Sequence, residues 1–152
     1  MIEVREGRLG KGVYATQVLE PGQLILSGWG PRLPQRTRHS FQVDHDVHIL
    51  IPTAIELINH SCEPNCGVLL RRGTEALEIH TLRRIEPGEE LLTDYATFES
   101  EIQFMTGPCQ CGAPSCRGRV TGYWDLSPER RRALGPYVAP YLRELELMPV
   151  AG

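Results

Sequence analysis

Apolar positions in the first two thirds of the chain come in short runs separated by turn residues. Val13 to Thr16, Leu24 to Ser27, Phe41 to Val43 and Ile49 to Ile51 each read as a short strand. Val68 to Leu70, Ala76 to Leu82 and Leu91 to Tyr95 form a second group. In the last of these, Leu91, Thr93 and Tyr95 alternate with Leu92 and Asp94, so the two sets face opposite ways. Two turns are alike, Leu19-Glu20-Pro21-Gly22 and Ile85-Glu86-Pro87-Gly88. Proline sets φ at the first central position and glycine takes φ > 0 at the second, as a type II turn requires. Helices are few. Thr53 to Ile58 reads as a short one, and Ser127-Pro128-Glu129 supplies an N-cap, an N1 proline and an early acid for a helix to about Leu134. Pro136 to Leu147 reads as a terminal helix that Pro140 kinks or restarts.

A chain of 152 residues with 41% hydrophobic content suits one core. Fifteen glycines and twelve prolines point to turns and short strands rather than a bundle. No apolar run approaches the ~18 residues of a membrane span, and no signal-peptide pattern opens the chain, so a cytoplasmic protein of bacterial type is expected, with a nuclear one as the alternative. A net charge of -3 argues against direct nucleic-acid binding and a polybasic membrane anchor. Glu86, Glu89, Glu90, Asp94, Glu99 and Glu101 run without an intervening base, which reads as a solvated surface or as a negative face for a basic peptide. Lys11 is the only lysine, from a general arginine bias or from avoidance of self-modification. His39, Asp44, His45, Asp46 and His48 read as an exposed turn more readily than as a metal site.

Of five cysteines, Cys109, Cys111 and Cys116 cluster as C-x-C-x4-C, a spacing that suits a metal better than disulfides. Upstream lies Asn59-His60-Ser61-Cys62-Glu63-Pro64-Asn65, a polar loop of the sort that builds a binding site. Between them stands Glu89-Glu90-Leu91-Leu92-Thr93-Asp94-Tyr95, and near the start Gly10-Lys11-Gly12. In this order, these segments resemble the SET-domain protein-lysine N-methyltransferases with a post-SET zinc-binding tail, over about Leu9 to Gly122.

The resemblance implies a mainly β fold, the SET (β-clip) arrangement of several small curved sheets with a C-terminal pseudoknot, a post-SET zinc loop and C-terminal helices. It divides the chain into a SET domain at 1–105, a post-SET segment at 106–122 and a helical extension at 123–152. It implies transfer of a methyl group from S-adenosylmethionine to a lysine side chain of a protein. Structural Zn²⁺ would be held by Cys62, Cys109, Cys111 and Cys116, leaving Cys66 as a small buried hydrophobe. Gly10, Lys11 and Gly12 would meet the methionine portion of the cofactor through backbone groups, and Asn59 and His60 its polar ends. Tyr123 and Trp124 either pack on the adenine or belong to the core. Tyr95 is the candidate catalytic residue, accepting CH···O contacts from the methyl and steering the amine, with a buried structural tyrosine as the plain alternative. Thr93 stands where the family carries an aromatic residue, which leaves mono-, di- or trimethylation open. Glu56 stands where many members carry arginine, and His39 is the loose counterpart of an upstream tyrosine. A catalytically weak or inactive SET-fold module that binds zinc and S-adenosylmethionine is the alternative, and a zinc-stapled interaction domain a third reading. Substrate choice would rest on the SET surface, the terminal helix or self-association as a homodimer.

Overall fold

A computed structural model describes residues 1–71 and 73–147, so residues 148–152 of the expected helical extension lie outside the described residues. In chain order its strands are β1 (Ile2–Gly7), β2 (Gly10–Ala15), β3 (Leu24–Trp29), β4 (Arg32–Leu33) and β5 (Phe41–Asp44). There follow β6 (Val47–Ile49), β7 (Asn59–His60), β8 (Cys66–Leu70), β9 (Ala76–Thr81) and β10 (Leu92–Thr93). The helices are α1 (Pro128–Ala133) and α2 (Pro140–Leu147). Four small sheets result: the β1–β2 hairpin, the antiparallel triplets β3-β9-β8 and β4-β6-β5, and a parallel pair of β7 with β10.

β9 shows why these sheets form. Leu77, Ile79 and Thr81 are buried while Ala76, Glu78 and His80 alternate with them on the other face. The inward set joins Val13, Leu19, Ile25, Ile49, Ile51, Ile55, Val68, Ile85 and Leu91 in one core. Each such side chain contributes roughly 1.5–3 kcal/mol by leaving water. Tyr123, Leu126, Val138, Tyr141 and Leu142 belong to the same cluster, so the described part of the C-terminal extension packs into this core. Tyr141 donates its hydroxyl to Phe98 O at 2.6 Å. The ring of Tyr137 lies over Gly67, where a Cβ would stand 2.5 Å from it.

The Pro-Gly turns take the expected form, with φ of 76° at Gly22 and 90° at Gly88. They also face each other. Leu19 and Ile85 exchange two backbone hydrogen bonds of 2.9 Å, so each turn anchors the other through fully buried residues.

Several expected boundaries move. β1 was not expected: its only apolar positions are Ile2 and Val4, and it lies on the surface with its four central residues, Val4 among them, exposed. The strand expected over Leu91 to Tyr95 shortens to β10, since Asp94 caps a 3-10 turn at Tyr95–Thr97 by accepting from the Ala96 N–H at 3.0 Å. The helix expected at Thr53 to Ile58 is a single 3-10 turn, Ala54–Leu57, with the Thr53 hydroxyl accepting from the Ile55 N–H. The helix after Ser127 forms as read, the Ser127 hydroxyl accepting from the Arg130 N–H. The terminal helix starts at Pro140, where the missing N–H costs nothing.

The contact that matters most for the site is short. Asn59 lies beside Leu92 and His60 beside Thr93, in parallel, and the Ser61 N–H extends the ladder to Thr93 O at 3.0 Å. Asn65 fastens this crossing, its amide donating to Glu90 O and accepting from the Leu92 N–H, both at 2.8 Å.

Candidate active site

Strand pairing sets His60 against the capped turn that carries Tyr95. The Tyr95 backbone N–H donates to His60 Nδ1 at 3.1 Å, so Nδ1 holds a lone pair and the ring proton sits on Nε2. That nitrogen lies 3.5 Å from Cys62 Sγ, placed to donate to the sulfur. Burial pushes the imidazole down to about 4 against the pull of Asp94, so His60 is neutral at pH 7. The Tyr95 hydroxyl donates to Ile58 O at 2.7 Å. Burial, with Glu99 and Glu90 nearby, pushes this phenol above its ordinary value, so it keeps its proton.

Neither Asp94 nor Arg117 was given a place in the site from the sequence, yet they join its two halves. The guanidinium meets both carboxylate oxygens, at 2.8 and 2.9 Å, and both side chains are nearly buried. The Arg117 N–H also donates to Cys62 Sγ at 3.4 Å. The available signal was positional, since Arg117 follows the last cysteine of the cluster directly.

The four cysteines named from the sequence converge. The sulfurs of Cys62, Cys109, Cys111 and Cys116 all lie within 4.8 Å of one another, with Cys62 and Cys109 4.0 Å apart. A tetrahedral Zn²⁺ with four thiolates needs sulfurs about 3.8 Å apart, so the set fits that ion with small adjustments. Backbone donors complete its surroundings, because the Gly118 N–H points at Cys116 Sγ at 3.3 Å as Arg117 does at Cys62. Cys66 is buried in β8, where its thiol is pushed up to about 12.

A cavity of about 460 Å³ adjoins this cluster, lined by Arg8, Asn59, His60, Phe104, Pro108, Cys109 and Val120 among others. That volume falls within the range of small-molecule sites. Its floor is braced by Asn59, whose amide donates to Lys11 O at 3.0 Å and to Glu90 Oε1 at 2.7 Å. Gly12 makes this brace possible, because a Cβ there would lie 2.3 Å from Glu90 Oε1 and 3.2 Å from Asn59 Nδ2. Gly10 closes the hairpin at φ 91°. An apolar wall, the guanidiniums of Arg8 and Arg38, which form no ion pair among the described residues, and the amide of Asn59 together fit a nucleoside that carries an amino-acid end.

Tyr123 and Trp124 are not brought to this cavity. Tyr123 is wholly buried with its hydroxyl on Glu146, because the chain after the cysteine loop turns inward. Trp124 stands edge-on against Tyr123, near Arg131. Phe104 takes the aromatic place in the lining.

A second, narrow cavity of about 60 Å³ has Tyr95 in its wall and shares Arg38, Phe104 and Met105 with the first. His39, Phe41, Glu56, Ile58, Phe98 and Glu99 line it. Thr93 does not; it is buried beside His60. The run of acids does not make one negative face. Glu86 pairs with Arg84, Glu89 with Arg83, Asp94 with Arg117, and Glu99 and Glu101 with Arg36, while Glu90 accepts from Asn59. Asp44, His45 and Asp46 are exposed around the β5–β6 turn.

The SET domain family model matches residues 10–96. "Histone-lysine N-methyltransferase ATX2" of Arabidopsis thaliana is 42% identical over 150 residues, covering 85% of this chain and 13% of the relative. "Histone-lysine N-methyltransferase trithorax" of Drosophila virilis is 34% identical over 128 residues, covering 71% of this chain. The chain spans only 3% of the length of that relative. Among solved structures, KRYPTONITE in complex with mCHH DNA, H3(1-15) peptide and SAH is similar with a TM-score of 0.64 and 25% identity, over 78% of this chain and 29% of that one. A putative histone methyltransferase of Plasmodium falciparum shares the fold, with a TM-score of 0.52 and 18% identity over 62% of this chain and 96% of that one.

Proposed function

The chain belongs to the SET-domain family, and on that premise we propose that it is an S-adenosylmethionine-dependent methyltransferase acting on a lysine side chain of a protein substrate. The observation that carries this reading is the position of Tyr95, in the wall of the narrow cavity and directly against His60, which lines the larger one. Bound in the larger cavity, S-adenosylmethionine would supply an electrophilic methyl group. Asn59, His60, Arg8 and Arg38 would hold its polar parts and Phe104 its ring system. Tyr95 donates its proton to Ile58 O, so towards an incoming amine the phenol oxygen serves as an acceptor and not as a base. Alignment of nucleophile and methyl then supplies much of the rate. Zn²⁺ would be structural, tying the cysteine loop over the cavity through Cys62, Cys109, Cys111 and Cys116.

The H3(1-15) peptide and SAH of the KRYPTONITE complex support a peptide substrate and this cofactor. A basic segment around the target lysine is part of the proposal. So is a thiol-preserving compartment such as the cytoplasm, which the clustered free cysteines favour. An inactive binding module is the second reading, favoured by Thr93 in place of an aromatic residue.

The test is calorimetry with S-adenosylmethionine on zinc-loaded protein, followed by turnover on a protein mixture. Asn59→Ala should weaken cofactor binding at least tenfold, whereas Tyr95→Phe should keep binding and lose most turnover. Binding without any turnover in the wild type selects the inactive module; no binding overturns both readings.

A further inference from the structure

The narrow cavity beside Tyr95 contains three carboxylates, and only two of them are engaged. Glu99 and Glu101 both reach Arg36, at 3.4 and 3.2 Å, and Glu101 also accepts from the Gln103 amide at 2.8 Å. Glu56 is half-buried on the 3-10 turn before β7, its backbone N–H donating to Thr53 O, and among the described residues its carboxylate has neither a hydrogen bond nor an ion pair. Its backbone places it two residues before Ile58, whose carbonyl takes the Tyr95 hydroxyl. A second group in the same wall is left incomplete. Glu99 Oε2 is buried and makes no hydrogen bond, although Arg36 Nε lies 3.4 Å away. The aromatic rings of Phe41, Phe98 and Phe104 complete a lining that suits the alkyl stem and charged head of a basic side chain.

We propose that Glu56 is a specificity-determining residue that receives an arginine or lysine side chain flanking the target lysine of the substrate. This rests on the methyltransferase reading and names the chemistry of its substrate segment. A carboxylate facing the reacting nitrogen itself would hold that nitrogen protonated and oppose transfer. On a neighbouring residue the same charge aids binding at no cost to the chemistry. Arg38 lines the cavity too, yet no ion pair joins it to Glu56, and it opens equally onto the larger cavity. The carboxylate is therefore free for an external cation.

The experiment measures fluorescence-anisotropy binding of labelled peptides that contain one lysine flanked by arginine, glutamine or glutamate, at low salt. Wild type should bind the arginine-flanked peptide about tenfold tighter than the glutamine-flanked one. Glu56→Gln should abolish the preference, and Glu56→Arg should shift it towards the glutamate-flanked peptide, a gain that misfolding does not mimic. Equal arginine-to-glutamine ratios for wild type and Glu56→Gln overturn the proposal. Methyl transfer is followed on the same peptides, where the Glu56 effect should fall on KM and leave kcat unchanged. Selective binding with no transfer rejects the methyltransferase reading alone; transfer without flanking preference rejects the role of Glu56 alone.

Discussion

Asp94 joins two pieces of chain with one side chain. Its oxygens bind the Arg117 guanidinium and cap the turn at Ala96. Replacing Arg117 with methionine leaves that carboxylate buried without its cation, and breaking such a pair from one side costs about 3–5 kcal/mol. Denaturant titration of Arg117→Met should show a loss of this order, with part of it restored when Asp94→Asn is added. A loss below about 1 kcal/mol would mean that the pair is a bystander.

At the level of elements, the cysteine loop is held by a backbone pair, the Cys109 N–H to Gly118 O at 2.9 Å, by Arg130 donating to Ser115 O at 3.1 Å, by Arg117 on Asp94 at its end, and by what its sulfurs share. Cys62→Ser should therefore lower bound zinc from one equivalent towards none in a metal assay and lower Tm, with a chelator doing the same to wild type. Unchanged zinc content would show that Cys62 is not a ligand. Elements of this kind differ in how openly the sequence announces them. The Pro-Gly turns, the Ser127 cap and the strands around Val68 and Ala76 were legible because local chemistry or period-two burial dictates them. β1 was not, since a surface strand paired on one side needs no apolar face. The convergence of the four cysteines and the meeting of His60 with Tyr95 were legible through the family resemblance, which rests on motifs of high specificity. The Asp94–Arg117 bridge, the free carboxylate of Glu56 and the burial of Tyr123 depend on contacts between segments far apart, which no local pattern records. The pairing of the acidic run has the same origin: its members meet Arg84, Arg83, Arg117, Arg36 and Asn59, which no local pattern assigns to them.

Across the whole molecule, burial of Glu99 couples stability to pH. Its carboxyl ionises at about 7 when folded, against an ordinary value of 4.5, because desolvation outweighs Arg36. The folded chain thus holds this proton more tightly than the unfolded one. The stability it contributes is complete below about pH 4.5 and is lost as pH rises to about 7. Glu99→Gln removes that dependence, so its stability relative to wild type should climb across this window and then level off. Parallel curves for the two proteins would show that Glu99 does not titrate there. The parallel pairing of β7 with β10 has a consequence of a different sort, one of time. As the chain leaves the ribosome, Asn59 and His60 emerge long before Leu92 and Thr93, and Cys62 waits for Cys116 and Arg117. Such distant closures are slow, and the apolar first half stays exposed meanwhile. Nascent chains halted between His60 and Leu92 hold every residue of β7 and none of its partner strand, and those halted before Cys116 still lack the last cysteine, so assembly of the site comes as one late event.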